Sequence, residues 1–140
     1  SKTFASLIKS YLRKKSDLAV ITTYVKDPTG YGRIIRNNKG KILGIVEEKS
    51  ANEKQKKIKE INTGIYCCKW QKLNKVLSEI KINKIKGEYY LTDAIEIFIR
   101  HGYRVNAFIC CAKNSSEVIG VDSKDRLKIA ENYFKRRKKW

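Results

Sequence analysis

Between Asp27 and Arg36 the chain reads Asp-Pro-Thr-Gly-Tyr-Gly-Arg-Ile-Ile-Arg, a turn with narrow backbone demands that feeds directly into a strand-like run. Pro28 fixes its own φ and pushes Asp27 toward an extended conformation, while Gly30 and Gly32 leave bare backbone on either side of the Tyr31 ring. Such a stretch is either an ordinary Pro/Gly turn or a place where a ligand meets the main chain. On its N-terminal side, Leu18 to Val25 is a β-branched run bounded by Asp17 and Asp27-Pro28, which predicts a buried strand. On its C-terminal side, Asn37-Asn38-Lys39-Gly40 separates Tyr31–Arg36 from Lys41–Glu48 and predicts strand, turn, strand. With residues 36 and 41 flanking a four-residue loop, an antiparallel register places Glu47 opposite Gly30. One carboxylate then lies beside the bare backbone.

Helix and strand alternate along the chain, so the class is α/β, with a hairpin inserted after the first strand. Phe4, Leu7, Ile8, Tyr11 and Leu12 predict an amphipathic helix over residues 4–14. Trp70, Leu73, Val76, Leu77 and Ile80 mark a second helix, and Leu91, Ile95, Phe98 and Ile99 a third that ends at Gly102; both stripes are expected in the core. Ser50-Ala51-Asn52-Glu53 has the form of a capping box opening a short polar helix to Lys59. Ile61–Cys68 and Val105–Cys111 read as strands, Val118–Val121 as a short further one, and a last helix runs from Lys124 to Trp140 with Asp122 or Ser123 as its cap. Asn62 interrupts an apolar strand, and a buried amide needs a polar partner, for which backbone groups are one source. Gly87–Asp93 is a polar, aromatic knot at a helix start, where Thr92 and Asp93 are also plain capping candidates. His101, the one histidine, sits in a last helical turn, where it complements the helix dipole.

Composition narrows the partners. The 32 Lys+Arg against 14 Asp+Glu give +18, which attracts any polyanion. The excess is mostly Lys, spread over the whole length, and its densest groups, Lys54 to Lys59 and Lys135 to Lys139, are not interleaved with an aromatic stacking platform. A solvated basic surface is therefore expected, with a nucleic-acid or other polyanion-binding module as the alternative. No apolar run approaches the ~18 residues of a membrane span and no signal peptide opens the chain, so a cytoplasmic, non-membrane setting is expected. The four cysteines form the adjacent pairs Cys67-Cys68 and Cys110-Cys111 in strand-like runs. Neighbouring strand residues point to opposite faces, so neither pair can chelate one metal, and buried, reduced thiols are expected.

Five motifs in order complete the reading: Asp27-Pro-Thr-Gly-Tyr-Gly-Arg33, Gly44-Ile-Val-Glu-Glu-Lys49, Ile61-Asn-Thr-Gly-Ile-Tyr66, Gly87-Glu-Tyr-Tyr-Leu-Thr-Asp93 and Glu117-Val-Ile-Gly-Val-Asp122. Together they closely resemble the uridylyltransferase domain of bacterial N-acetylglucosamine-1-phosphate uridylyltransferases. The resemblance implies a Rossmann-like nucleotidyltransferase fold that joins UTP and N-acetylglucosamine 1-phosphate into UDP-N-acetylglucosamine, releasing pyrophosphate. By position, Gly32 is similar to the glycine whose backbone meets the sugar, Glu47 to the carboxylate on the sugar hydroxyls and Asn62 to the amide that also holds the sugar. Glu88, Tyr89 and Thr92 match a motif lining the same pocket. Asp122 falls where the family usually has an Asn that helps hold Mg²⁺, and an aspartate is an equally hard oxygen ligand. The implied chemistry is in-line attack of a sugar-phosphate oxygen on the α-phosphorus of UTP. Positioning and electrostatics carry such a step, so no side-chain nucleophile is expected.

The family's Gly-rich triphosphate loop, its uracil-reading segment and its Gly-Asp metal ligand have no counterpart in these residues. The resemblance therefore implies the sugar-facing, C-terminal half of the domain, a partial fold with a mixed sheet, over residues 1–123, followed by a connecting helix at 124–140. Such a half is expected to be inactive without a chain that supplies the other one. It is also expected to expose a strand edge and an apolar helix face, and so to self-associate or pair. A sibling transferase for another sugar or nucleotide is the remaining family-level alternative.

Overall fold

A computed structural model describes residues 2–84, 86–111, 117–118, 120–121 and 123–137. In chain order the elements are α1 (Lys2–Arg13), β1 (Leu18–Tyr24), β2 (Arg33–Arg36), β3 (Ile42–Val46), α2 (Glu53–Lys56), β4 (Glu60–Cys68), α3 (Trp70–Leu77), β5 (Ile82–Asn83), β6 (Glu88–Tyr89), α4 (Ala94–Arg100), β7 (Val105–Ile109) and α5 (Lys124–Arg137). The main sheet has five strands in the order β3-β2-β4-β1-β7, and β5 pairs with β6 in a separate ribbon. β7 runs parallel to β1, while the β1–β4, β2–β4 and β2–β3 pairs are antiparallel. The sheet is mixed, as the alternation of helices and strands and the inserted hairpin predict.

β1 is buried from Leu18 to Thr23 because apolar or β-branched residues occupy both of its faces. Leu18 and Val20 point to one side, where they pack with Ile34, Ile42 and Ile45 of the β2–β3 hairpin and with Val76, Ile95 and Phe98 of the helices. Ala19 and Ile21 point to the other side, toward Leu7, Cys110 and Val118. The same alternation splits a cysteine pair, Cys68 packing against the first cluster and Cys67 against the second. All four thiols are free. Cys110 is buried as expected, but Cys111 lies beyond the end of β7 and is exposed.

Several expectations change at the element ends. The capping box is Asn52 with Gln55, each side chain bonding the other's backbone N–H at 2.9 Å, and not Ser50 with Glu53. The helix it opens is a single turn, α2. Trp70 is 65% exposed and Leu91 half exposed, so the core stripes of α3 and α4 begin one turn later, at Leu73 and at Ile95. Among the described residues, 117–118 form a helical turn and no strand forms at 118–121. Gly102 ends α4 with φ of +71°, the left-handed closure its position predicts.

Candidate functional site

Two irregularities of the sheet shape one wall of the molecule. The first is the turn between β2 and β3. Gly40 adopts φ of +74° and donates its N–H to the Asn37 carbonyl at 2.9 Å, while the Asn37 N–H meets the Lys41 carbonyl at 2.9 Å. The register then shifts between Ile35 and Arg36, giving Arg33 opposite Val46 and Ile35 opposite Gly44. The simple four-residue loop would have put Glu47 across from Gly30. The shift puts it across from Gly32, whose backbone is so close that an added Cβ would stand 3.4 Å from both Glu47 carboxylate oxygens. Gly30 is met instead by Glu48, whose Oε2 accepts its N–H at 3.2 Å.

The second irregularity lies in β4. Val20 pairs with Tyr66 and Thr22 with Asn62, so residues 63–65 bulge opposite Ile21. Gly64 makes the bulge with φ of +76°, Asn62 Oδ1 accepts its N–H at 3.0 Å and the Thr63 hydroxyl donates to the Ile21 carbonyl at 2.8 Å. Here is the polar partner that the Asn62 amide needs on one side. The Asn62 backbone N–H donates to the Gly32 carbonyl at 2.8 Å, so Glu47 just after β3, Gly32 just before β2 and Asn62 near the start of β4 stand side by side. Next to them the Tyr66 hydroxyl is buried and pushed up to about 12 by that burial, with the nearby Asn62 amide opposing the rise. The amide lies short of a regular hydrogen bond to this hydroxyl.

Thr92 belongs to a 3-10 turn, Leu91–Asp93, that leads into α4. It is buried and donates its hydroxyl to Glu47 Oε1 at 2.9 Å, fixing one carboxylate oxygen. α4 can approach β3 this closely because Gly44 has no side chain: a Cβ there would stand 2.6 Å from Glu96 Oε1. Glu88 and Tyr89, expected in the same pocket, form β6 and are exposed, Tyr89 at 68%. The half-buried tyrosine is Tyr90, whose hydroxyl is pushed up first by desolvation and then by the Glu88, Glu47 and Asp93 carboxylates. Asp93 is likewise raised by burial. Glu47, Tyr90, Asp93, Glu96 and Gly44 border a cavity of about 340 Å³, which Gly32 and Asn62 do not line.

Sequence reasoning missed the support beneath this wall. Arg33 is fully buried, donates to the Tyr31 carbonyl and reaches Glu48 Oε2 at 2.5 Å. That guanidinium, with the Gly30 N–H and against burial, holds the Glu48 carboxyl below its ordinary range. Glu47 is the cap of a 3-10 turn, Glu48–Ser50, that follows β3, and the two acids part there: Glu47 faces the wall while Glu48 ties the turn. His101 pairs with Glu79 at 2.5 Å and stacks on Tyr103, apart from the wall residues. Asp122 lies outside the described residues. Among those described, no group of three or more acidic, histidine or cysteine side chains could hold a metal ion.

A carboxylate with one oxygen pinned, a half-buried amide and bare backbone supply paired acceptors and donors for a neutral polyol. Against that geometry, the family model described as Nucleotidyl transferase matches residues 1–117. The chain belongs to the nucleotidyl transferase family. Over 137 residues, 98% of its length, the chain is 42% identical to the bifunctional protein GlmU of Caldanaerobacter subterraneus subsp. tengcongensis. Over 136 residues it is 43% identical to the protein of the same name from Clostridioides difficile. In both cases it spans 29% of the relative's length. A solved structure from Bacillus anthracis, described as a glucose-1-phosphate thymidylyltransferase in complex with a sucrose, superposes with a TM-score of 0.56 at 23% identity. The overlap covers 74% of this chain and 39% of that one. It shows the fold, a partial Rossmann-like sheet of the nucleotidyltransferase type.

Proposed function

We propose that the chain is the sugar-facing half of a uridylyltransferase domain, with residues 1–123 as that half and 124–140 as a connecting helix. It would bind N-acetylglucosamine 1-phosphate and, completed by a nucleotide-gripping half on another chain or segment, join it to UTP as UDP-N-acetylglucosamine and pyrophosphate. The observation that carries the reading is the Glu47–Gly32–Asn62 row with Thr92 pinned to Glu47, in a chain about two-fifths identical to GlmU proteins. In this reading Glu47 accepts from sugar hydroxyls, Asn62 offers donor and acceptor, Gly32 admits the sugar against the main chain, and Glu88 and Tyr89 close over it from their exposed ribbon. Asp122 contributes one hard oxygen toward Mg²⁺, which would neutralise phosphate charge when bound. The wall residues bind and orient; none is a nucleophile. A cytoplasmic setting accompanies this reading.

Titration calorimetry of the chain with N-acetylglucosamine 1-phosphate tests it. Binding should weaken at least about tenfold in Glu47→Gln and in Asn62→Ala, because each leaves a sugar polar group unpaired. Equal affinity in both variants overturns the site. Pyrophosphate release from UTP and the sugar phosphate should be absent for the chain alone, and robust turnover overturns the half-domain reading.

A further inference from the structure

α5 is fastened to the molecule in an unusual way. Of its described side chains only Ala130 is buried, while Leu127, Ile129 and Phe134 are exposed. Burial of apolar surface therefore does little to hold this helix. What ties it to the turn before β2 is Arg126. Its guanidinium lies over the Tyr31 ring, 4.0 Å from the centroid, and donates to the Thr29 carbonyl at 2.7 Å. Its terminal nitrogen would stand 3.4 Å from a Cβ at Gly30, which has none and adopts φ of +83°. From the same segment, Gly120 faces the Tyr31 ring, whose edge a Cβ there would meet at 3.5 Å, and the Ser123 hydroxyl accepts the Arg126 N–H at 3.3 Å as the helix cap. The two partners are 97 residues apart in the chain. The other side of this turn is the wall itself, since Gly32 follows Tyr31 directly and Glu48 holds the Gly30 N–H.

We propose that Arg126 is a positioning residue whose clasp on Thr29–Tyr31 makes the docking of α5 and the shape of the sugar-facing turn one equilibrium. This rests on the sugar reading of the wall. A sugar phosphate that needs the turn in its present shape then tightens α5, and releasing α5 weakens that ligand by the same factor. Geometry makes the clasp specific: the planar fork both stacks on the ring and reaches the carbonyl, which a lysine cannot do at once.

Hydrogen exchange of the whole chain, with and without N-acetylglucosamine 1-phosphate, tests the proposal. Without ligand, Arg126→Ala and Tyr31→Leu should each speed exchange of the 124–130 amides at least about fivefold while β1 and β4 stay protected. Tyr31→Phe, which keeps the ring, should behave as the parent, and Arg126→Lys should fall between. With saturating ligand the parent should slow exchange in α5 and Arg126→Ala should not, its affinity falling about fivefold. Unchanged α5 exchange in the ligand-free variants overturns the clasp. A parent that binds ligand without slowing α5 overturns the coupling. A parent that binds no sugar phosphate overturns the sugar reading and the coupling with it, while the ligand-free comparison still decides the clasp.

Discussion

Gly32 and Thr92 constrain the same carboxylate from two sides, and each can be altered without touching Glu47. A Cβ at Gly32 would come within 2.9 Å of Ile45 Cγ2 as well as 3.4 Å of the Glu47 oxygens, and Ile45 is buried and has little freedom to retreat. Gly32→Ala should therefore cost about 1–2 kcal/mol in urea unfolding and also weaken sugar-phosphate binding, because both neighbours must move. Thr92→Val keeps the shape and removes the hydroxyl that donates to Glu47 Oε1. Fold and melting temperature should hold within a few degrees while sugar-phosphate affinity falls severalfold, and an unchanged affinity would show that the pinned oxygen is irrelevant to binding. Another residue governs pH behaviour. Asp17 is buried and is met by Lys72 at 2.9 Å, Lys69 at 3.0 Å and the Arg104 N–H at 2.9 Å. Burial pushes its carboxyl up, and these three partners outweigh burial and hold it well below the usual carboxylate range. A lowered folded-state value means stability that is present above the unfolded pKa of about 3.9 and is lost as pH falls further. Melting temperature should fall more steeply below about pH 4 in the parent than in Asp17→Asn, which starts lower at pH 7.

At the scale of elements, β2 is short and meets β4 through one paired position, Arg33 with Ile61. The Arg36 guanidinium supplements that contact, gripping Glu60 with two bonds of 2.7 and 2.6 Å while Thr22 donates to the same carboxylate at 2.7 Å. Burial alone would raise the Glu60 carboxyl, but the Arg36 fork and the Thr22 hydroxyl bring it below its ordinary range. Arg36→Ala leaves a buried carboxylate without its counter-ion and should cost about 3 kcal/mol by chemical denaturation, loosening the hairpin first. A loss below about 0.5 kcal/mol would mean that solvent satisfies Glu60. Which elements exist was legible in the sequence, because a β-branched run such as residues 18–23 and a stripe such as Ile95 and Phe98 have few other solutions. What the chain kept hidden was decided by single hydrogen bonds. The Gly40 closure and the register shift between Ile35 and Arg36 together set which glycine faces Glu47, Asn52 outcompeted Ser50 as the cap, and the 3-10 turn after β6 drew Tyr90 inward and left Tyr89 outward. Periodicity specifies which residues share a face and is silent about what covers it, which is why it predicts Trp70 in the core while the structure exposes it.

For the molecule as a whole, the same silence matters on α1. Leu7 is buried, but Phe4, Ile8 and Leu12 form a row on the flank beside it at 46%, 51% and 65% exposure. β7 is meanwhile the last strand of the sheet. We expect concentration-dependent self-association in sedimentation experiments, abolished by Ile8→Lys with Leu12→Glu at little cost to the monomer's melting temperature. The +18 charge opposes association, so added salt should strengthen it by screening that repulsion, the reverse of what a polyanion complex would do. A species that stays monomeric at high salt and high concentration would show that the stripe is inert. The Asn37–Gly40 turn has a consequence of another kind. Surface loops ordinarily accept a residue gained or lost, yet this one determines which side chain of the following strand is presented to the wall. Losing a single residue there would slide the following strand by one position and turn Glu47 away from the wall, so the length of a loop remote from the wall matters to it as much as Glu47 itself.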